Sequence, residues 1–260
     1  MYTENFIVQA SDTGSDGRMK LKCLFDYFQN TAARAAQEFE GTTSDLLSQG
    51  YTWVLSKYEA DFFDELPRID ERFNISTYHD PSHGYNTLRM FHVKCGEKEI
   101  VRAKSSWLLV DVKSGRVLRA VNRLSKIHTD DVIDPIFTEI PEPEGGFECV
   151  KEIEVGWHSL DYNGHVNNAV YIEWIYDQLA KSGGIEPEKI CISFRSGARM
   201  GEIVRLERSE VEGGELFRVR SGDRERRGVE MMMKRRKRRN GDSDSRSRRS
   251  GKSCSRQAGR

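Results

Sequence analysis

The sequence predicts an α+β fold in which one unit is stated twice: a lead-in strand, a helix, then several antiparallel strands. Three observations carry this. First, Asp16-Gly17-Arg18-Met19 aligns with Asn163-Gly164-His165-Val166, and at the same offset Leu24, Phe25, Tyr27 and Phe28 fall over Tyr171, Ile172, Trp174 and Ile175. Second, each aligned segment is turn-like and runs into an apolar stretch of helical period. Third, each helix is followed by strand-like runs separated by turn residues. A tandem of such units lays a helix against an antiparallel sheet twice over.

Taken in order, Phe6–Ala10 reads as the first lead-in strand. Leu21, Leu24, Phe25, Phe28, Ala32, Ala35, Ala36 and Phe39 keep the spacing of one buried helical face. Trp53–Phe63, Arg72–His79, Asn86–Cys95 and Glu99–Asp111 follow as strands. The stretch from Ile140 to Gly146, rich in Pro, Glu and Gly, is a linker by composition. Phe147–Val155 leads into the second unit, whose helix begins after a suitable N-cap, Asn167 or Asn168. Its strands are Lys189–Arg195, Glu202–Val211 and Leu216–Arg220. Gly222–Met233 supplies only a poor closing strand, so the second unit is expected to be incomplete, with an open edge. The expected division is 1–135, a linker at 136–146, 147–233, and a basic tail at 234–260 that cannot bury a core and is expected to be disordered.

The chain carries 41 Lys/Arg and 41 Asp/Glu over 260 residues, and that balance conceals a split. Residues 221–260 hold 15 basic against 5 acidic residues, which leaves 26 against 36 in residues 1–220. No apolar run approaches the roughly 18 residues of a membrane span. The first residues have neither a basic nor a long apolar segment of the secretory kind, so a cytoplasmic protein is expected. Five scattered cysteines without a C-x-x-C pair fit reduced thiols. The six histidines show no ligand spacing with them, so neither a metal nor a cofactor is expected. The chain has no G-x-S-x-G elbow and no Gly-rich phosphate loop, which disfavours a serine hydrolase and a nucleotide enzyme. Cys191 reads as a buried strand residue, and Asp12-Thr13-Gly14 as a turn.

Chemistry concentrates at Asp161, Asn163, His165, Asn167 and Asn168. Alternation of the first three suggests side chains on one side of an extended entry segment. An imidazole and carboxamides beside exposed helix N–H groups can polarise a carbonyl oxygen. In the aligned first copy, Asp16 and Arg18 stand where Asn163 and His165 do. Arg cannot shuttle protons at neutral pH, so that copy reads as catalytically silent.

The order Asp161, Asn163, His165, Val166, Asn167, Asn168, Tyr171 and Trp174 resembles the C-terminal motif of the acyl-ACP thioesterases, and the likeness to their bacterial type runs from about residue 4 to about residue 221. The resemblance implies a tandem double hotdog, each half an antiparallel sheet wrapped around a helix. It implies hydrolysis of fatty acyl-[acyl-carrier-protein] to free fatty acid, in fatty acid biosynthesis, without a cofactor. Asp161, Asn163 and His165 would be catalytic, and Asn167, Asn168, Tyr171 and Trp174 would bind substrate. Trp53, Tyr58, Phe62, Phe63 and Trp107 would be mostly core, with some lining an acyl channel.

One departure stands out. Where the family has aromatic-Arg-x-Glu, this chain has Phe194-Arg195-Ser196-Gly197, so the acid is missing. The base must then be Asp161 or, failing that, Glu173 or Glu202. The alternatives are an acyl-CoA thioesterase and an acyl-binding protein that has lost catalysis. The implied partner is acyl carrier protein with its acyl-phosphopantetheine, for which the basic tail offers electrostatic docking. Nucleic acid would rest on the tail alone and is not expected. A homodimer stays open, because a tandem already supplies the pairing that single hotdogs obtain by association.

Overall fold

The computed structural model describes residues 1–40, 42–119, 132–181, 186–221 and 227–236. The first half runs β1 (Tyr2–Ile7), α1 (Leu21–Glu40), α2 (Thr43–Ser48), β2 (Tyr51–Phe62), β3 (Arg72–His83), β4 (Asn86–Cys95), β5 (Lys98–Asp111) and a short β6 (Val117–Leu118). The second runs β7 (Glu148–Glu154), α3 (Asn168–Lys181), β8 (Pro187–Phe194), β9 (Ile203–Val211), β10 (Gly214–Ser221) and β11 (Arg227–Arg235). Among the described residues the strands form one antiparallel sheet in the order β1-β3-β4-β5-β2-β8-β11-β10-β9-β7, with β6 beside β5. The halves meet where β2 pairs β8, from Lys57 opposite Ser193 to Asp61 opposite Lys189. Each half is thus a hotdog-like unit, and the strand order of one mirrors the other about that seam.

The duplication reaches the backbone hydrogen bonds. A single 3-10 turn at Ala10–Asp12 recurs at Trp157–Ser159, 147 residues on. The bridge Thr13–Met19 recurs as Leu160–Val166 at the same offset. Gly17 N–H donates to Gly14 O at 3.0 Å, and Gly164 N–H to Asp161 O at 3.0 Å. Both Gly17 and Gly164 take a positive φ, 74° and 72°, which a side chain would strain. The entry to each helix is therefore a tight glycine turn. This corrects the expectation of an extended segment at Asp161–His165.

Both helices bury their apolar faces against the sheet. Phe25 and Phe28 of α1 pack on Tyr58 of β2, with Phe28 stacked on Phe91 of β4 at 4.7 Å. Ile172, Ile175 and Leu179 of α3 share that core with Ile190, Ile192, Phe217, Met231 and Met233. Beyond Phe28, α1 carries Ala32, Ala33 and Ala36, whose small side chains leave the gap between helix and sheet unfilled.

Three expectations change. The first strand is Tyr2–Ile7, earlier than Phe6–Ala10, because Ala10 already belongs to the 3-10 turn. The closing strand of the second unit is present: β11 pairs both β10 and β8, with Met231 and Met233 facing the main core and Met232 a smaller cluster with Cys191 and Leu216. Polarity at its end hides it, since Lys234 and Arg235, expected to open the tail, are its last residues and Arg235 pairs with buried Glu215. Residues 237–260 of that tail lie outside the described residues. The expected linker is also not loose. Thr138 N–H donates to Glu59 at 2.6 Å, and Glu142 pairs with buried Arg218 at 2.7 Å.

Candidate active site

The Asp161–Asn168 loop is held by its own first residue. Asp161 Oδ1 accepts from the N–H groups of Asn163 (2.8 Å) and His165 (3.3 Å), while Asp161 N–H donates to His165 O at 2.7 Å. Asn167 is the N-cap of α3, its Oδ1 accepting from Ala169 N–H at 2.9 Å. Val166 N–H donates to Ala198 O at 2.9 Å, which ties the loop to the segment after β8. Tyr171 completes that tie: its buried hydroxyl accepts from Ala198 N–H at 2.9 Å, and burial pushes its pKa up to about 12.

The loop forms part of the wall of a cavity of about 820 Å³. Asp161, Asn163, His165, Asn167, Asn168 and Tyr171 all line it, as do Arg195, Ser196 and Gly197. Most of the rest of the lining comes from the first unit: Asp26, Gln29 and Asn30 with the alanines of α1, and Thr52, Trp53, Leu55, Thr87, Arg89 and Trp107 of the sheet. Trp174 is not in this wall. It is buried, with its ring edge-on to Tyr171 at 5.4 Å, so it acts in packing. Of the aromatic set, Tyr58 and Phe62 are core, Trp53 and Trp107 line the cavity, and Phe63 is exposed.

Two contacts join the units at the site. Thr52 Oγ1 lies 3.4 Å from Asn163 Oδ1, and Gln29 Nε2 lies 3.4 Å from Asn167 Oδ1. With Oδ1 facing the hydroxyl, the amide nitrogen is the donor end of the Asn163 side chain. Gly197 packs directly on the imidazole: a Cβ there would stand 2.9 Å from His165 Cβ and 3.0 Å from Cγ. The ring thus fills space that a side chain at 197 would need.

Sequence reasoning missed Asp26, Gln29, Asn30 and Thr52. Asp26, Gln29, Asn30 and Ala33 follow the spacing i, i+3, i+4, i+7, a polar and small stripe beside the apolar one, and that signal was available. Thr52 had none. Of the carboxylates considered earlier, Glu173 is exposed on α3 and Glu202 takes a hydrogen bond from Ser221. Neither lines the cavity, whereas Asp26 does, ion-paired to Lys22 at 2.9 Å. In the first copy, Arg18 is folded back on Glu65 and on Leu66 O, and it does not line the cavity. Cys191 is buried, and burial pushes its thiol up to about 11, so it stays protonated at neutral pH.

Residues 1–127 match the model of the acyl-ACP thioesterase N-terminal domain, and residues 145–237 that of the acyl-ACP thioesterase C-terminal domain. The chain belongs to the acyl-ACP thioesterase family. Similar members include the chloroplastic palmitoyl-acyl carrier protein thioesterase of Cuphea hookeriana, 24% identical over 88% of this chain and 63% of that one. The chloroplastic oleoyl-acyl carrier protein thioesterase of Coriandrum sativum is 23% identical over 78% and 61%. The chain thus spans less than two thirds of the length of these curated relatives. Among solved structures, an acyl-ACP thioesterase from Bacteroides thetaiotaomicron aligns with a TM-score of 0.75 at 21% identity, covering 90% of this chain and 96% of that one. The 12:0-ACP thioesterase from Umbellularia californica aligns with a TM-score of 0.78 at 15% identity, again over 90% and 96%. At such identities these two carry the acyl-ACP thioesterase fold. Among the described residues no helix is long and apolar enough to cross a membrane.

Proposed function

We propose that this chain hydrolyses the thioester of fatty acyl-[acyl-carrier-protein], in the cytoplasm and without a cofactor, giving free fatty acid and the carrier thiol. The observation that carries the reading is one cavity shared between two units: the Asn163/His165 loop of the second lines a cavity walled in larger part by the first. The units divide as 1–135 and 147–233, the first silent and shaping the pocket, the second bearing the chemistry. The carrier protein is the partner, and the tandem serves in place of a homodimer.

In this reading water adds to the thioester carbonyl carbon, negative charge gathers on its oxygen, and the C–S bond then breaks. The Asn163 amide, oriented by Thr52, donates to that oxygen. His165 hydrogen-bonds the water or the carbonyl. Asp161 is a positioning residue, because its Oδ1 is spent on the loop backbone. Asn167 and Asn168, in the same wall, bind substrate. With Gly197 in place of an acid, Asp26 is the carboxylate that accepts the proton from water and returns it to the sulfur, supported by its position in the same wall.

Turnover of one acyl chain on carrier protein and on coenzyme A tests the carrier, and a faster rate on coenzyme A would overturn it. Asp26→Asn should lower kcat on the order of 100-fold with KM little changed. Wild-type turnover in that variant would remove Asp26 from the mechanism. Binding of acyl carrier protein without any turnover by the unaltered chain would favour the acyl-binding reading that Gly197 invites.

A further inference from the structure

The far wall of the cavity is not the all-hydrocarbon surface that a plain alkyl chain needs. Thr87 and Arg89 of β4 and His79 of β3 line it, and their exposures are 5%, 6% and 5%. Thr87 Oγ1 is buried and makes no hydrogen bond. Arg89 stands in register with His79 on one side and Ser105 on the other, and its Nη1 donates to Thr77 Oγ1 at 3.3 Å. Burial, with Arg89 beside it, lowers the His79 pKa to about 4, so its ring is neutral at neutral pH and offers both a donor and an acceptor. A guanidinium, a hydroxyl and an imidazole are therefore gathered inside a pocket that Ala32, Ala33, Leu55 and Trp107 also line.

The register sets the distance from the reaction centre. Thr52, which meets Asn163, lies three residues along β2 from Leu55; Leu55 is opposite Trp107, and Trp107 is opposite Thr87. At about 3.3 Å per residue and 4.8 Å per strand, Thr87 stands roughly 14 Å from Thr52, and Arg89 roughly 19 Å. A staggered carbon chain advances about 1.25 Å per carbon, so these groups meet it beyond about carbon eleven.

Building on the thioesterase reading, we propose that the preferred substrates are acyl chains bearing an oxygen, hydroxyl or ketone, in their distal half, received by Thr87, Arg89 and His79. Thr87 Oγ1 has no hydrogen-bond partner in the walls, so a plain chain packed against it would leave it so, whereas an oxygen on the chain would supply one. That is the arrangement in which a site discriminates against an analogue lacking the polar group.

The test compares three eighteen-carbon acyl-ACPs, saturated, 12-hydroxy and 12-oxo, with wild type, Thr87→Val and Thr87→Ser. The expected kcat/KM ratio of at least one oxygenated chain to the saturated one exceeds one in wild type, and the two arms distinguish hydroxyl from ketone. Thr87→Val should lower that ratio threefold or more, and Thr87→Ser should restore it. A wild-type ratio of one or less for both chains, or a smaller change in Thr87→Val, overturns the proposal. The same comparison is read calorimetrically in binding of the three free acids. A chain that turns over none of the acyl-ACPs yet binds the oxygenated acids more tightly keeps this inference and loses the thioesterase reading. Turnover led by the saturated chain does the reverse.

Discussion

Gly197 offers a perturbation whose outcome separates geometry from composition. Comparison with the family motif suggests that Gly197→Glu restores a missing acid and should raise turnover; the structure gives the opposite sign. The first atom of any side chain at 197 would lie 2.9 Å from His165 Cβ and 3.1 Å from Cδ2. Ordinary carbon contacts begin near 3.5 Å, so about 0.6 Å must be found. His165 Cβ is fixed to its backbone, and the 197 segment is tied by Val166 N–H to Ala198 O and by Ala198 N–H to the Tyr171 hydroxyl. Relief must move the imidazole or loosen those bonds. Overpacking of this kind costs about 1–3 kcal/mol of stability. A displacement approaching 1 Å at a reacting group costs up to about 100-fold in rate. Gly197→Ala should therefore lower kcat for acyl-ACP by about 10- to 100-fold, and Gly197→Glu should lower it at least as far. Steady-state kinetics read the effect, with a urea melt to show that the chain is folded. Wild-type kcat in Gly197→Ala, or a gain in Gly197→Glu, would refute the reasoning.

Further outcomes follow from buried charge. His79 has a folded pKa of about 4 against an ordinary 6.5, so the unfolded chain takes the proton first. Its contribution is full above pH 6.5, is lost as pH falls from 6.5 to 4, and changes no further below; the whole is about 3 kcal/mol as an upper figure. His79→Gln should flatten that part of the stability-versus-pH curve in urea melts, and an unchanged slope would count against the burial argument. Arg235→Ala removes a partner of Glu215, which is 1% exposed on its side chain and keeps Arg208 at 2.6 Å. A loss of about 1–3 kcal/mol is expected by thermal melt. No loss would mean that β11 ends before Lys234.

How much of this could be read in the residues depends on where periodicity speaks. The helices and most strands declared themselves because their apolar residues recur at 3.6 or 2, and Asn86–Cys95 matched to the residue. The 147-residue offset was visible because glycine turns and helix starts are short-range features. Strand β11 was hidden: the partners of Glu230 and Arg235 are Arg218, Arg195 and Glu215, all on other strands or beyond their ends, so its charges looked like a tail. Asp161 was legible as important, but its work on the loop backbone depends on a turn that alternation does not reveal. Thr52 joins the site only through the packing of one unit on the other, and no local pattern contains that contact, whereas Asp26 lies on a polar helical stripe that could have been read. Trp174 kept motif spacing yet faces the core, because a helix that abuts a pocket must also bury its other sides.

The proposed hydrolysis depends most on the Asn163 carboxamide and the His165 ring acting on a thioester from one wall of the cavity. Single-turnover hydrolysis of a long-chain acyl-ACP by wild type, Asn163→Ala and His165→Ala, each with its melting temperature, measures this directly. Loss of about 100-fold or more in both variants with melting little changed is the predicted result. Rates near wild type in both would contradict it.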